Sequence, residues 1–457
     1  MNSLGRLAPC GLLVVGTFYG LGCSSTMDGG EEPASRASSL ETAAAPRSGA
    51  CEPFISPEVA AHVREMATKG WAAVNKEKGL LMHGCPAGAS GRACLTAYPR
   101  ASEKPYGQGW EHLPGAALRI LREYAYPSSF WTRSSPDGRF VAHGRRNADA
   151  VFNMSASIFD LRGDGRQIPA NASYDSGFTP DNSGFTFISG SDVLFCNQSL
   201  LGTSPQSIKF DEPECINAGD LGLYQSVGAA LGGGDYWVAG GRFQNDQGGY
   251  DIRRDPDARF GSDPVRFTPM IHNGSAFEPG ASIDRSLPYE GDAILSPGAG
   301  LVMTRIEGPD HRSLGYALRK LVAKRTGTGY ELSTPEIARY CAKGAKATFS
   351  YDERWAVIHH YVDDNDEDAR DLGFTGRSDP KFAPYRAKGA SNVYLMDLVS
   401  GKLRRITAMQ PGQYALYPHF RADGWMHFIV RTAPRRGEPS PTATEYLVAS
   451  DAALMPE

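Results

Sequence analysis

"SSPDGRFVAHG", residues 134–144, is a tight turn followed at once by an alternating strand. In Ser135-Pro136-Asp137-Gly138 the proline fixes φ at the first corner and aspartate suits the second. Glycine takes the left-handed position that sends the chain back as a hairpin. "RFVAHG" then alternates apolar and polar, as a half-buried strand does. The arrangement returns in "GFTPDNSGFTFISG" (177–190), "ATFSYDERWAVIHHY" (347–361) and "PHFRADGWMHFIVR" (418–431), with weaker copies in "VGAALGGGDYWVAGG" (227–241) and "AILSPGAGLVMTR" (293–305). With Asp137, Asp181, Gly234, Gly298, Asp352 and Asp423 as anchors, the steps are 44, 53, 64, 54 and 71 residues. A unit of roughly 40–45 residues holding about four strands is a propeller blade, and six copies predict six blades. The longest step contains "DDNDEDARDLGFTGRSDPKFAPYRAKG" (363–389), which reads as an inserted loop.

The expected fold is therefore all-β: a six-bladed β-propeller over residues 116–457, with a small helix-containing N-terminal extension over 51–115. A ring must close, and the strand-like "ALRILREYAY" (117–126) is expected to pair with "TEYLVASDAAL" (444–454) in the last blade, removing exposed sheet edges. In the extension, "SPEVAAHVREMATKG" predicts a helix with Ser56 as N-cap, Pro57 at N1 and Gly70 past its end. Its Val59, Val63 and Met66 form a stripe suited to packing on a core.

The N-terminal "MNSLGRLAPCGLLVVGTFYGLGCSS" has the layout of an export signal. Arg6 precedes an apolar run, Leu12 to Leu21, that is too short to span a bilayer. "GLGCSS" resembles the lipobox of bacterial lipoproteins, although Gly20 stands where that box usually has leucine. The resemblance implies residues 1–23 as signal peptide and Cys23 as the lipid-attachment residue; an ordinary cleaved signal is the alternative. Residues 24–50 are Ser/Ala/Gly/Glu-rich and almost free of large apolar side chains, as a flexible tether is.

Six further cysteines remain: Cys51, Cys85, Cys94, Cys196, Cys215 and Cys341. In an exported chain an even number favours disulfides. Spacing favours Cys85–Cys94 and Cys196–Cys215, leaving Cys51–Cys341, with buried free thiols as the alternative. No Cys/His spacing fits structural zinc or haem attachment, and no cofactor is expected.

A net charge of −4 with no basic stripe argues against nucleic-acid binding. No G-x-S-x-G elbow, H-E-x-x-H or P-loop occurs, so no catalytic residue is assigned. Asp364, Asp366 and Asp368 have the spacing that begins a calcium loop, but Ala369 and Arg370 follow without the required glycine or the later glutamate, so no metal ligand is assigned either. His359 and His360 end a strand beside this acidic run and point to opposite faces.

The best copy, "SNVYLMDLVSGKLRRITAMQPGQYALYPHFRADGWMHFIVR" (391–431), resembles the TolB-like, WD-like propeller repeat. Met396-Asp397-Leu398 leads through Ser400-Gly401 to Arg405-Ile406-Thr407. Pro418-His419-Phe420 then opens the next turn at Asp423-Gly424. The resemblance covers about residues 116–455; TolB's N-terminal α/β domain has no counterpart. It implies a monomeric periplasmic binding or scaffold protein, tied to the outer membrane only by lipid, that docks an envelope protein, peptide or cell-wall ligand. Polysaccharide lyases on related propellers use histidines with a metal. The rival expectation is accordingly a lyase or hydrolase with a metal near His359 and His360.

Overall fold

The computed structural model describes residues 51–69, 110–116, 118–124, 131–146, 154–161, 167–170, 176–180, 184–188, 195–199, 215–216, 224–229, 235–241, 265–273, 277–285, 290–307, 313–327, 329–433 and 444–455, plus residues 172 and 287. A short strand β1 (Phe54–Ile55) and a helix α1 (Pro57–Lys69) come first, then β2 (Leu118–Tyr124). Antiparallel meanders follow. The first is β3 (Thr132–Ser134), β4 (Phe140–Arg146), β5 (Met154–Asp160) and β6 (Gln167–Ala170). The second is β7 (Gly177–Phe178), β8 (Gly184–Ile188), β9 (Phe195–Ser199) and β10 (Cys215–Ile216). The third is β11 (Tyr224–Ala229), β12 (Tyr236–Gly241) and β13 (Val265–His272), with β14 (Phe277–Pro279) and β15 (Ile283–Arg285) both pairing β13.

The fourth meander runs β16 (Glu290–Leu295), β17 (Leu301–Glu307), β18 (Ser313–Lys320), then, past a separate hairpin β19 (Val322–Thr326) and β20 (Gly329–Ser333), β21 (Glu336–Tyr340). The fifth is β22 (Ala345–Phe349), β23 (Trp355–Tyr361), β24 (Ser391–Asp397) and β25 (Leu403–Arg405). The sixth is β26 (Gln413–Phe420), β27 (Met426–Thr432) and β28 (Glu445–Ser450), and its outer strand is β2, paired from Leu118↔Ser450 to Tyr124↔Glu445. The segment before the first meander thus completes the last one, as the sequence predicts. First strands of successive meanders touch in order, β3 to β7 to β11 to β16 to β22 to β26, and β26 touches β3. The molecule is a closed β-propeller.

The opening stretch shows why the unit repeats. Ser135 N–H donates to the Phe140 carbonyl (2.8 Å), Phe140 N–H donates to Ser135 Oγ (3.0 Å), and the Ser135 hydroxyl and Arg139 N–H both donate to Asp137 Oδ1 (2.6 and 3.0 Å). Gly138 sits at φ +69°. The Arg139 guanidinium then grips Asp160 at the end of the third strand (2.9 Å), and Leu161 N–H donates to the Arg139 carbonyl (2.7 Å). The fifth meander repeats this atom for atom. Ser350 and Asp352 hold the turn, and Arg354 reaches Asp397 (3.1 Å), while Leu398 N–H donates to the Arg354 carbonyl (3.0 Å). That pairing explains the aspartate of Met396-Asp397-Leu398. In the second meander Thr179 replaces the serine, its Oγ1 accepting from Gly184 N–H (3.0 Å). In the sixth, Arg421-Ala422-Asp423-Gly424-Trp425 closes one residue sooner, with Gly424 at φ +89°.

The described parts of the extension pack on the ring. Val59 and Met66 of α1 are buried, and Ser56 Oγ accepts from Glu58 N–H (3.1 Å). β1 adds a strand to the outer edge of the fourth meander beside β21. His62 Nε2 lies 2.6 Å from Glu353 Oε2, and Gly298 N–H donates to Glu353 Oε1 (2.6 Å), so one buried carboxylate ties α1 to the turns of the fourth and fifth meanders. Trp110 enters the core between fifth and sixth, its Nε1–H donating to Gln413 Oε1 (3.0 Å).

The segment 363–389, read from sequence as loop, contains two short helices, α2 (Asp366–Asp371) and α3 (Ala383–Lys388). Asn365 caps α2 by accepting Asp368 N–H (2.8 Å), and Asp366, Glu367 and Asp368 crowd its positive first turn. The acidic run that suggested a solvated loop is what starts the helix.

Candidate functional site

The first strands surround a central channel. Arg133, Phe178, Ser226, Ile294, Thr348 and His419, one from each first strand, are among its lining residues. It leaves about 110 Å³ for water-sized molecules. Neighbouring first strands are stitched by side chains. Leu295 N–H donates to Ser226 Oγ (3.0 Å), and the Thr348 hydroxyl donates to the Pro418 carbonyl (3.1 Å). At the closing seam His419 Nε2 lies 2.8 Å from Ser134 Oγ.

Three first strands carry the same irregularity. The ladder slips a residue between Gly291 and Ile294, between Ala345 and Thr348, and between Leu416 and His419. At these bulges Asp292, Lys346 and Tyr417 take φ of +50°, +55° and +54°. Positive φ in a buried side chain larger than glycine costs about 1–3 kcal/mol and persists only where its surroundings enforce it. Ile294, Thr348 and His419 each follow their bulge residue by two, and all three line the channel.

Burial, and then the Arg133 charge, pull the His419 pKa down to about 3, against a small opposing pull from the Tyr417 carbonyl. His427, directly opposite on β27, is held well below the usual imidazole range by burial, then Arg421, then His419. Both rings are neutral at physiological pH. The seam also buries Arg421, which pairs with Asp423 (2.6 Å) and lies against Gly138, where a Cβ would stand 2.8 Å from it.

The turn residues singled out from sequence serve architecture. Asp137, Gly138, Asp352, Asp423 and Gly424 hold turns; Asp181 lies outside the described residues. Cys51 and Cys341 form a disulfide. Cys196 is disulfide-bonded, with Cys215 opposite it in register. Cys23, Cys85 and Cys94 lie outside the described residues.

His359 and His360 part company as strand alternation requires. His359 Nδ1 accepts from Tyr417 N–H (3.4 Å) between fifth and sixth meanders. His360 Nε2 lies 2.9 Å from Asp368 Oδ2, which also accepts Asp363 N–H (2.6 Å). Burial works to raise the Asp368 pKa, but the His360 hydrogen bond and charge, the Asp363 N–H and the Lys343 charge together outweigh it, so the carboxyl titrates below its usual range. Ligand atoms of His360, Asp363 and Asp368 lie within 4.8 Å of one another.

Sequence reasoning missed Arg133, Ser134 and His419 as a group. Ser134 and His419 are 285 residues apart, and only the closure of the ring joins them.

No protein-family model and no curated protein matches the chain. Solved structures similar to it include oligogalacturonate lyase from Vibrio parahaemolyticus, at 10% identity and TM-score 0.36 over 75% of this chain and 95% of that one. TolB from Acinetobacter baumannii matches at 12% identity and TM-score 0.33, over 70% of this chain and 65% of TolB. The WD40 domain of Toxoplasma gondii coronin matches at 9% identity and TM-score 0.33, over 75% and 88%. Likenesses this distant carry no argument about function; the propeller rests on the strand register and its closure.

Proposed function

We propose that the chain is a six-bladed propeller of the bacterial cell envelope, held to the membrane through lipidated Cys23 and the 24–50 tether, and that it binds a protein, peptide or cell-wall ligand at the channel. One observation carries this reading. Every first strand contributes to one opening whose described lining residues mix hydroxyls, aromatic rings and one cation, Arg133. A rigid scaffold that gathers such groups at one mouth suits recognition. Crosslinked pull-down from envelope extract tests it, comparing the native chain with Thr348→Trp, which fills the channel. One saturable partner lost in the variant is expected; equal capture by both refutes the channel as the site. Mass spectrometry of the mature N-terminus is expected to show a diacylglyceryl mass on Cys23, and a free N-terminus further along refutes anchoring.

The second reading, a metal-dependent polysaccharide lyase or hydrolase, is favoured by the closeness of the His360, Asp363 and Asp368 ligand atoms. A stoichiometric transition metal that disappears with His360→Ala would favour it over binding, and its absence would count against it.

A further inference from the structure

Ser134 on β3 and His419 on β26 meet where the ring closes, and both line the channel. The second ring nitrogen of His419, Nδ1, lies 3.0 Å from the Tyr417 carbonyl oxygen. A carbonyl only accepts, so Nδ1 carries the hydrogen. In a neutral imidazole Nε2 is then the acceptor, and the Ser134 hydroxyl must be its donor. The chain of bonds runs Ser134 Oγ–H to His419 Nε2, then His419 Nδ1–H to Tyr417 C=O. That is a nucleophile, a base and an orienting acceptor at hydrogen-bonding distances.

Two comparisons inside the molecule set this seam apart. First strands elsewhere are tied by a hydroxyl and a backbone group, as at Ser226–Leu295 and Thr348–Pro418, and the imidazole at the fifth–sixth seam, His359, meets a backbone N–H and not a hydroxyl. The bulge that gives Tyr417 its φ of +54° recurs at Asp292 and Lys346, but there the residue two positions on is Ile294 or Thr348. Of the three bulges among the described residues, the one in the sixth meander presents a carbonyl to an imidazole.

We propose that Ser134 is a nucleophile and His419 its general base, and that the channel cleaves small carboxylic esters. This goes beyond the binding reading and does not require it. Ser134 Oγ attacks the ester carbonyl carbon while its proton passes to His419 Nε2. The tetrahedral oxyanion forms in the channel that also holds the Arg133 cation; it collapses, and the departing alkoxide takes the proton from Nε2. Water then attacks the acyl-serine, gives a proton to Nε2, and the carboxylic acid leaves as Ser134 recovers its hydrogen.

The charged and titratable groups acting on His419 are Arg133 on β3 and His427 on β27; Arg421, paired with Asp423 past the end of β26, acts on His427. His419 itself stays neutral down to about pH 3. Attack assisted by it is therefore expected to be slow, because a weak base assists weakly, and level between pH 5 and 8.

The test is reaction of the full chain with a fluorophosphonate, which forms an Oγ–P bond and releases fluoride, with the modified residue mapped by peptide mass spectrometry. Labelling of Ser134 is expected, absent in Ser134→Ala and slowed at least tenfold in His419→Gln. The rate is expected to stay within twofold from pH 5 to 8, also in Asp423→Asn, which removes the buried carboxyl paired with Arg421. No label on Ser134, or equal labelling in His419→Gln, overturns the proposal. Should His419→Gln fail to fold, the native chain still decides: a rate rising about tenfold per pH unit, the signature of hydroxide rather than of a neutral imidazole, overturns it. Hydrolysis of p-nitrophenyl acetate that is lost with Ser134→Ala is the expected turnover counterpart.

Discussion

Lowering the pH from 8 to 5 should loosen the ring at its closing seam. His419 and His427 are buried there, and neither His427 nitrogen has a hydrogen-bond partner in the structure. Their folded pKa values lie below 6.5, His419 at about 3 and His427 well below the ordinary value. Above pH 6.5 both rings are neutral folded or unfolded, and pH has no leverage. Below it the unfolded chain gains two protons that the folded one refuses, so stability falls until the folded pKa values are reached. At pH 5 the unfolded rings lie about 1.5 units past their midpoint, worth about 2 kcal/mol each, or about 4 kcal/mol together. Asp423 works the other way. Burial raises its pKa, so it stabilises the fold as pH falls through that value. The depressed carboxyls of Asp368 and Asp397 lose their contribution only below the ordinary carboxylate range, outside the window. The assay is urea unfolding followed by tryptophan fluorescence at pH 8, 6 and 5, for the native chain and for His419→Gln/His427→Gln. Asp423 is common to both, so the difference isolates the histidines. The native chain should lose about 4 kcal/mol relative to the variant. A relative loss below about 1 kcal/mol would refute the claim that these rings stay neutral.

Three further outcomes are expected. Gly138→Ala puts a Cβ at φ +69° and 2.8 Å from the Arg421 side chain, and should cost about 1–3 kcal/mol by urea midpoint. Trp110→Ala empties a fully buried indole site between the fifth and sixth meanders and should cost about 3–5 kcal/mol, read as a drop in melting temperature. Cys51→Ser opens the link to Cys341 across 290 residues, and should lower stability by about 2–5 kcal/mol and expose β1 and α1 to protease before the rest of the ring.

How much of this was legible depends on where the determining contacts lie in the chain. The turn unit was readable because Ser135, Asp137, Gly138 and Arg139 all act within six residues, and Asp160 within about twenty more. The closing pair was readable from strand-like ends alone, since a propeller has one place for two leftover strands. The N-terminal extension was only half visible. The α1 stripe announced a packed face, but a two-residue β1 carries no periodicity, and its pairing depends on where the disulfide holds it. The helices of 363–389 were lost because acidic density was weighed as solvation and not as a first-turn charge with an asparagine cap.

The bulges were hidden for a deeper reason. Positive φ ordinarily announces itself as glycine or asparagine, whereas here it falls on Asp292, Lys346 and Tyr417, which no local preference would choose. The surroundings impose it: in these three first strands the strained residue is buried where the ladder slips, with paired residues on both sides. A signal was nonetheless present. When the copies are aligned on their turns, Asp-Ala-Ile-Leu-Ser, Lys-Ala-Thr-Phe-Ser and Tyr-Pro-His-Phe-Arg fall in one column, with alanine or proline always after the strained residue. Read down that column, the channel-facing position holds isoleucine, threonine and then histidine. The same column accepts Ile294 and Thr348, so the position itself does not demand an imidazole, and that is the ground on which the proposal of chemistry at His419 rests.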